Sequence, residues 1–292
     1  MNVAILGTGK MGAAMARRLA ERGFSLVLWN RTPERIPTDL GAKVALSPAE
    51  AAYRADVVIS SLTDPTAVRD VYLGQYGAAL AGGRLFVEMS TAGPAAVLEL
   101  QPALEASGSR LIDAPVLGSI DAVLAGTLEI LAGGTAADVA AAEPVLQSLG
   151  KVHRVGPLGS GARLKLISNV MLGGSLALAS ELQRLGTAVG LDPTDVWSAL
   201  AARFPYLGAQ EAAFVEHRHD HVNFALRDLV KDLDLAAALE NETGTAAPIT
   251  DQVRHVYDAA PRELQRLSVT AILEAGKGGA GPAPAQSPIT VE

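Results

Sequence analysis

The chain has 292 residues, a length that accommodates two domains. Hydrophobic residues make up 49% and charged residues 19%, which excludes intrinsic disorder, and 24 Lys and Arg against 31 Asp and Glu argue against a nucleic-acid binder. The absence of cysteine excludes a disulfide scaffold, a thiolate zinc site, an iron–sulfur cluster and a thiol nucleophile.

No apolar run reaches the roughly 18 residues of a spanning helix, so no membrane segment is expected. Met1–Gly7 lacks the basic region and cleavage site of a signal peptide. The expectation is a cytoplasmic protein whose first buried strand begins almost at once. Strand-like apolar runs follow at Val3–Gly7, Leu26–Asn30, Val57–Leu62, Leu85–Ser90, Leu111–Val116, Leu128–Ala132 and Val152–Val155. Helical stretches such as Met11–Glu21 separate the early ones. Such alternation predicts a mostly parallel, doubly wound Rossmann sheet covered by helices on both faces. After Gly156 the strand pattern stops. From Ala162 to about Gly190 apolar residues recur at helical spacing, with an interruption expected at Gly173–Gly174. Leu191-Asp192-Pro193 restarts a helix with Pro in its first turn. The predicted class is α/β: a nucleotide-binding domain over 1–158, an all-α domain over 159–276, and a long helix joining them. The Gly/Pro/Ala-rich segment 277–292 is expected to be a flexible tail.

Gly7-Thr8-Gly9-Lys10-Met11-Gly12 directly follows the first strand and opens the first helix. In that context G-x-G-x-x-G is a dinucleotide fingerprint. The first Gly makes the turn, the second admits the pyrophosphate, and the third lets helix and strand pack. An NAD site would place an acid at the end of the second strand to bond the ribose 2′-hydroxyl. Here that strand runs into Asn30-Arg31-Thr32. Arg31 suits a 2′-phosphate and can stack on adenine, Asn30 and Thr32 can donate hydrogen bonds, and Arg35 adds charge. NADP(H) is therefore expected in preference to NAD(H), which stays admissible.

Further motifs follow in order: Ser90-Thr91, Asp113-Ala114-Pro115-Val116 leading to Gly126-Thr127-Leu128, Gly159-Ser160-Gly161 before Lys165 and Asn169, and Lys231-Asp232-Leu233. Together with the fingerprint, these make the chain resemble the β-hydroxyacid dehydrogenase family, closely over about 1–240 and loosely beyond. The resemblance implies a small-molecule carbonyl or hydroxyacid substrate and a homodimer or homotetramer. It implies that Lys165 is the proton donor and acceptor and that Asn169, at i+4 on the same helical face, positions substrate. The chemistry agrees: hydride transfer to a carbonyl leaves an alkoxide that needs a proton, and a desolvated lysine at a helix start has a lowered pKa. By the same resemblance Leu62 and Thr63 contact the cofactor, Ser90 and Thr91 line the nicotinamide, and Lys231 reaches toward the cofactor. Ser90-Thr91 also suits a helix cap before Pro94, and Lys231 a salt bridge with Asp228 or Asp232.

Two departures stand out. The family commonly reads Asp-Ala-Pro-Val-Ser-Gly-Gly in its substrate loop; here Leu117, Gly118 and Ser119 follow Val116. Leu117 replaces the serine that meets the substrate carboxylate. The backbone N–H groups of Gly118 and Ser119 and the Ser119 hydroxyl remain to bind an anion. The second departure is Ala259-Ala260-Pro261-Arg262-Glu263-Leu264, which replaces a Gly- and Asp-containing segment.

His217, His219 and His221 form His-x-His-x-His. Alternate residues converge on a strand but not on a helix. Within the charged run Glu216–His221 they are expected in an exposed loop, with no metal site. Asp232 and Asp234, two apart on a helix, do not face each other. The leading expectation is an NADP(H)-dependent enzyme interconverting a small 3-hydroxyacid and its semialdehyde or oxo form. The alternatives are an imine reductase, against which Lys165 argues, and a non-catalytic NADP sensor or scaffold.

Overall fold

The structure, a computed structural model, describes residues 1–275, so the tail expected at 277–292 lies outside the described residues. Strands β1 (Asn2–Leu6), β2 (Ser25–Trp29), β3 (Lys43–Val44), β4 (Val57–Ser60), β5 (Leu85–Glu88), β6 (Arg110–Asp113), β7 (Val116–Leu117), β8 (Leu128–Gly133) and β9 (Gly150–Gly156) form one sheet. The order is β3-β2-β1-β4-β5-β6-β8-β7, with β9 also paired to β8. The first six strands in this order are parallel; β8 runs antiparallel to β6 and β7. Between them lie α1 (Lys10–Glu21), α2 (Pro48–Tyr53), α3 (Pro65–Leu73), α4 (Gly93–Ala106), α5 (Ile120–Ala125) and α6 (Ala136–Leu146).

Double winding is visible within a single strand. Val3 and Ile5 of β1 point into one apolar layer with Met15, Leu19 and Leu146, while Ala4 and Leu6 point into the other with Tyr72, Phe86 and Leu100. The period-2 alternation of a strand thus supplies both cores. The order reverses at β1 and β4, so Gly7 and Ser61 stand at the switch point where such sheets bind ligands.

Three expectations are corrected. The run expected over Leu111–Val116 is interrupted after Asp113, because Pro115 has no N–H for a ladder; β7 then resumes in the direction of β6, both strands antiparallel to β8. Strand β3 escaped notice because it is two residues long and exposed. Helix α7 (Ser160–Ala188) passes through Gly173–Gly174 without the expected interruption. The glycines serve packing instead. A Cβ at Gly173 would lie 3.2 Å from a Leu229 methyl, and one at Gly174 3.3 Å from a Val253 methyl. The Tyr257 hydroxyl donates to the Gly173 carbonyl at 3.0 Å.

Helices α8 (Pro193–Ala201), α9 (Glu211–Phe214), α10 (Leu226–Thr243) and α11 (Pro248–Asp258) complete the described chain with short 3-10 turns. By compactness the chain falls into two units. Met1–Met171 with Lys231–Ala247 forms the first, and Leu172–Val230 with the chain from Pro248 forms the second. The second is helical around Leu176, Phe214, Leu229, Tyr257 and Leu273, all fully buried. The first therefore holds the sheet together with Lys165, Asn169 and Lys231. Among the described residues no helix is long and apolar enough to cross a membrane.

Candidate active site

The turn from β1 into α1 has the geometry its glycines imply. Gly7 has φ +95°, and a Cβ there would sit 2.3 Å from the Ser61 carbonyl oxygen. A Cβ on Gly12 would sit 2.0 Å from the Gly7 carbonyl oxygen, so any side chain would push α1 off β1. Gly9 caps α1, and nothing lies within 4 Å of where its Cβ would be. The helix N-terminus thus faces open space that a pyrophosphate can fill, and a dinucleotide fits the residues present. Gly7, Gly9, Asn30, Arg31, Thr32, Arg35, Leu62 and Thr63 line one cavity of about 340 Å³, together with Val71 and Tyr76. Arg31 and Arg35 are exposed and unpaired with any acid among the described residues, leaving both guanidiniums for an anion. Lys10 is exposed at the first turn of α1, and Met11 packs on the core.

Asn30 lines this cavity and also ties its walls together. Its Oδ1 accepts the Thr8 N–H at 3.0 Å and its Nδ2 donates to the Thr32 carbonyl at 2.8 Å. Thr8, itself buried, donates its hydroxyl to the Arg35 carbonyl at 3.1 Å. Asn30 and Thr8 therefore hold the two nucleotide loops in register, and Arg31 and Arg35 are the groups turned outward.

Ser90 does not cap the following helix, whose N-cap is Ala92 with no side-chain hydrogen bond. Its Oγ accepts the Leu62 N–H at 2.8 Å, and its own N–H donates to Oε1 of Glu88 at 2.7 Å. Glu88 is fully buried and also bonded by Ser60, whose hydroxyl meets that of Tyr72 at 2.6 Å. Burial raises the Glu88 carboxyl to about 7, against the opposing hydrogen bonds from Ser60 and Ser90. Glu88 carried no signal in the sequence beyond being an acid at the end of an apolar strand. It joins the loops after β4 and β5.

Asp113 was legible only as part of a motif. Its Oδ1 accepts the Gly159 N–H and its Oδ2 the Ala162 N–H, both at 2.7 Å, which anchors the first turn of α7 to the end of β6. A Cβ on Gly161 would meet the Leu131 carbonyl at 2.1 Å, so helix and sheet meet at backbone distance. Lys165 projects one turn later and is half-buried. Desolvation lowers its ammonium to about 8; Asp232 opposes this shift and Lys231 adds to it.

A second turn of the site comes from α10. Asp232, buried, accepts from Lys231 Nζ at 2.6 Å on one oxygen and from Asn169 Nδ2 at 2.5 Å on the other. Lys231 Nζ also donates to the Thr91 carbonyl at 2.5 Å. Asn169, Asp232, Lys231 and Thr91 thus form one hydrogen-bonded chain from α7 to the loop after β5. Asp234 is exposed, on another face. Leu117 ends β7, and Gly118 and Ser119 precede α5; no hydrogen bond among the described residues ties them to Lys165 or Asn169.

The expected exposed histidine loop is corrected in part. His217 and His221 are exposed, but His219 is buried with Nδ1 3.1 Å from Thr270 Oγ1. The ladder that pairs its segment with residues 267–269 joins parts of the chain some 50 residues apart, which local charge could not reveal.

A glycine turn at the switch point of a doubly wound sheet, with a lysine of lowered pKa on the helix anchored beside it, defines a dinucleotide-dependent oxidoreductase. Comparison with known proteins agrees. The NAD binding domain of 6-phosphogluconate dehydrogenase matches residues 2–159, and the NAD-binding domain of NADP-dependent 3-hydroxyisobutyrate dehydrogenase matches 159–275. The chain is 31% identical to glyoxylate/succinic semialdehyde reductase 1 of Arabidopsis thaliana, covering 95% of this chain and 99% of that one. It is also 31% identical to 3-hydroxyisobutyrate dehydrogenase of Pseudomonas aeruginosa, with the same coverage. The solved 3-hydroxyisobutyrate dehydrogenase of Mycobacterium tuberculosis with L-serine superposes with a TM-score of 0.83 at 25% identity, over 94% of this chain and 98% of that one. The chain belongs to the β-hydroxyacid dehydrogenase family. It is an NAD(P)-dependent dehydrogenase or reductase acting on CH–OH groups.

Proposed function

We propose that the enzyme interconverts a small 3-hydroxyacid and its semialdehyde or oxo form, with NADP(H) preferred and NAD(H) admitted. The observation that carries this reading is Lys165: an ammonium lowered to about 8, one helical turn from Asn169. The bound nicotinamide supplies or accepts the hydride. In reduction Lys165 Nζ gives its proton to the nascent alkoxide; in oxidation the neutral amine takes the hydroxyl proton. A pKa near 8 keeps both forms populated near neutrality. Asn169, its amide nitrogen held by Asp232, keeps Oδ1 to orient the substrate hydroxyl. Lys231 holds the Thr91 carbonyl and, with it, the loop that Ser90 and Leu62 share.

Arg31 and Arg35 recognise the 2′-phosphate, supported by their exposure on the cavity wall and the lack of an acid there. Gly118 and Ser119 bind the substrate carboxylate through backbone N–H groups. Leu117 makes that pocket more apolar than a serine would, which favours a bulkier or less acidic carbonyl. Residues 1–158 bind the nucleotide and 159–276 complete the substrate site and assemble the oligomer, in a cytoplasmic homodimer or homotetramer. An exposed apolar row on α7, including Ile167, Met171, Leu178, Leu182 and Leu185, supports assembly.

The test is the initial rate of NADPH and NADH oxidation with glyoxylate, succinic semialdehyde, methylmalonate semialdehyde and an uncharged aldehyde, for the wild type and Lys165→Ala. NADPH-preferring turnover lost in the variant supports the reading. Tight NADPH binding without turnover of any of these sinks it and moves the assignment to an imine substrate or a sensor.

A further inference from the structure

His217, His219 and Glu274 converge in the helical unit. His217 Nδ1 lies 2.6 Å and His219 Nε2 3.1 Å from the same Glu274 oxygen, Oε1. One ligand atom from each residue lies within 4.8 Å of the other two. A zinc-class ion takes nitrogen and oxygen ligands at about 2.0–2.2 Å, which places tetrahedral ligands roughly 3.3 Å from one another. Both histidine–carboxylate separations already lie within an ångström of that spacing, and the whole cluster falls inside 4.8 Å. Two imidazoles and one carboxylate are also a donor set this class prefers.

Four features prepare the site. His219 is buried, and its second nitrogen is held against Thr270 Oγ1, the outer contact that fixes ring orientation in metal-bound histidines. The two segments are already laced together: Ser268 N–H donates to the His219 carbonyl and Val269 N–H to that of Phe224, each at 3.0 Å. Arg184 donates to the Leu273 carbonyl at 3.0 Å and so fixes the turn that presents Glu274. His217 alone among the described non-glycine residues has a positive φ, 55°. Such a conformation is unfavourable for a side-chain-bearing residue and persists where the surroundings demand it. His221 is not part of the cluster, since its Nε2 lies 3.2 Å from Asn223 Nδ2.

We infer that His217, His219 and Glu274 bind one first-row divalent cation of the zinc class, which pins the loop around 215–222 to the 3-10 turn Val269–Glu274. Water completes the coordination, and the ion acts as a cross-link between segments more than 50 residues apart in sequence. Hydride transfer does not pass through it.

The experiment uses the full chain, stripped with a chelator and titrated with Zn²⁺ by calorimetry and with Co²⁺ by visible absorption. The expected result is one equivalent bound, a tetrahedral Co²⁺ spectrum, and a melting temperature raised by Zn²⁺ and lowered again by chelator. His217→Ala and Glu274→Gln each weaken binding by at least the roughly 10- to 100-fold that loss of an outer-shell partner costs, while His221→Ala leaves it unchanged. His217 is exposed, so its variant carries the test even if Glu274→Gln does not fold. Absence of stoichiometric binding at micromolar ion overturns the proposal. So does binding weakened by His221→Ala but kept by Glu274→Gln, which is chelation by the surface histidine run alone.

Discussion

The carboxylate of Asp113 accepts the backbone N–H of Ala162 at 2.7 Å, at the point where the sheet hands over to the helix bearing Lys165. Its other oxygen takes the Gly159 N–H. Asp113→Ala leaves both donors buried without an acceptor, at a cost on the order of 3 kcal/mol. Denaturant unfolding should show that loss. Because the fingerprint turn is untouched, NADPH affinity should change less than kcat, which should fall at least about tenfold as Lys165 loses its placement.

The proton-transfer role proposed for Lys165 sets an expected pH dependence. Reduction needs the ammonium, so kcat for reduction should fall as pH rises through about 8, and oxidation should rise over the same window. Asp232 holds the Lys165 pKa up and Lys231 holds it down. Asp232→Asn should therefore move the midpoint to lower pH and Lys231→Met to higher pH, read from kcat profiles of the two variants. A midpoint unmoved by either change would remove Lys165 from the proton transfer.

Arg31 should separate the two cofactors. On the proposed role, Arg31→Ala removes a charge-assisted contact to the 2′-phosphate, so KM for NADPH should rise roughly 10- to 100-fold while KM for NADH stays nearly constant. Equal effects on both would assign Arg31 to adenine stacking instead.

Glu88 predicts a stability change with a definite sign. Its folded pKa of about 7 lies above the ordinary 4.5, so the folded protein holds a proton that the unfolded chain releases. The stability this contributes is full below about 4.5 and is lost as pH rises through 7. Glu88→Gln stays neutral and can keep the Ser90 and Ser60 contacts. It should match or exceed the wild type above pH 7, by up to about 3 kcal/mol, and lose that advantage toward pH 5. Melting temperatures of both proteins across that range provide the check.

The α7 row should respond to charge. Leu178 is 58% exposed amid Met171, Leu182 and Leu185. Leu178→Glu should dissociate the proposed oligomer to monomer in light scattering without unfolding it, since Leu178 is largely exposed on its own protomer. A wild type that is itself monomeric would refute the assembly.

Much of this protein is local. The glycine turn, the parallel strands and the long helix follow from residue spacing, because backbone sterics and amphipathic period act over a few neighbours. Lys165 and Asn169 were legible as one helical face for the same reason. The bond between Asn30 and Thr8 was not legible, because it joins loops brought side by side only when β1 and β2 pair. Gly173–Gly174 was misread as a break because its partners, Leu229 and Val253, are distant in sequence.

By itself, then, the sequence determined the α/β class, the nucleotide turn and the absence of an acid at the end of β2, all set by short-range geometry and residue chemistry. Only the tertiary structure decided which buried acids serve them. Glu88, Asp113 and Asp232 look alike in the chain, and their separate tasks arise because burial and long-range hydrogen bonds surround each carboxylate with different donors.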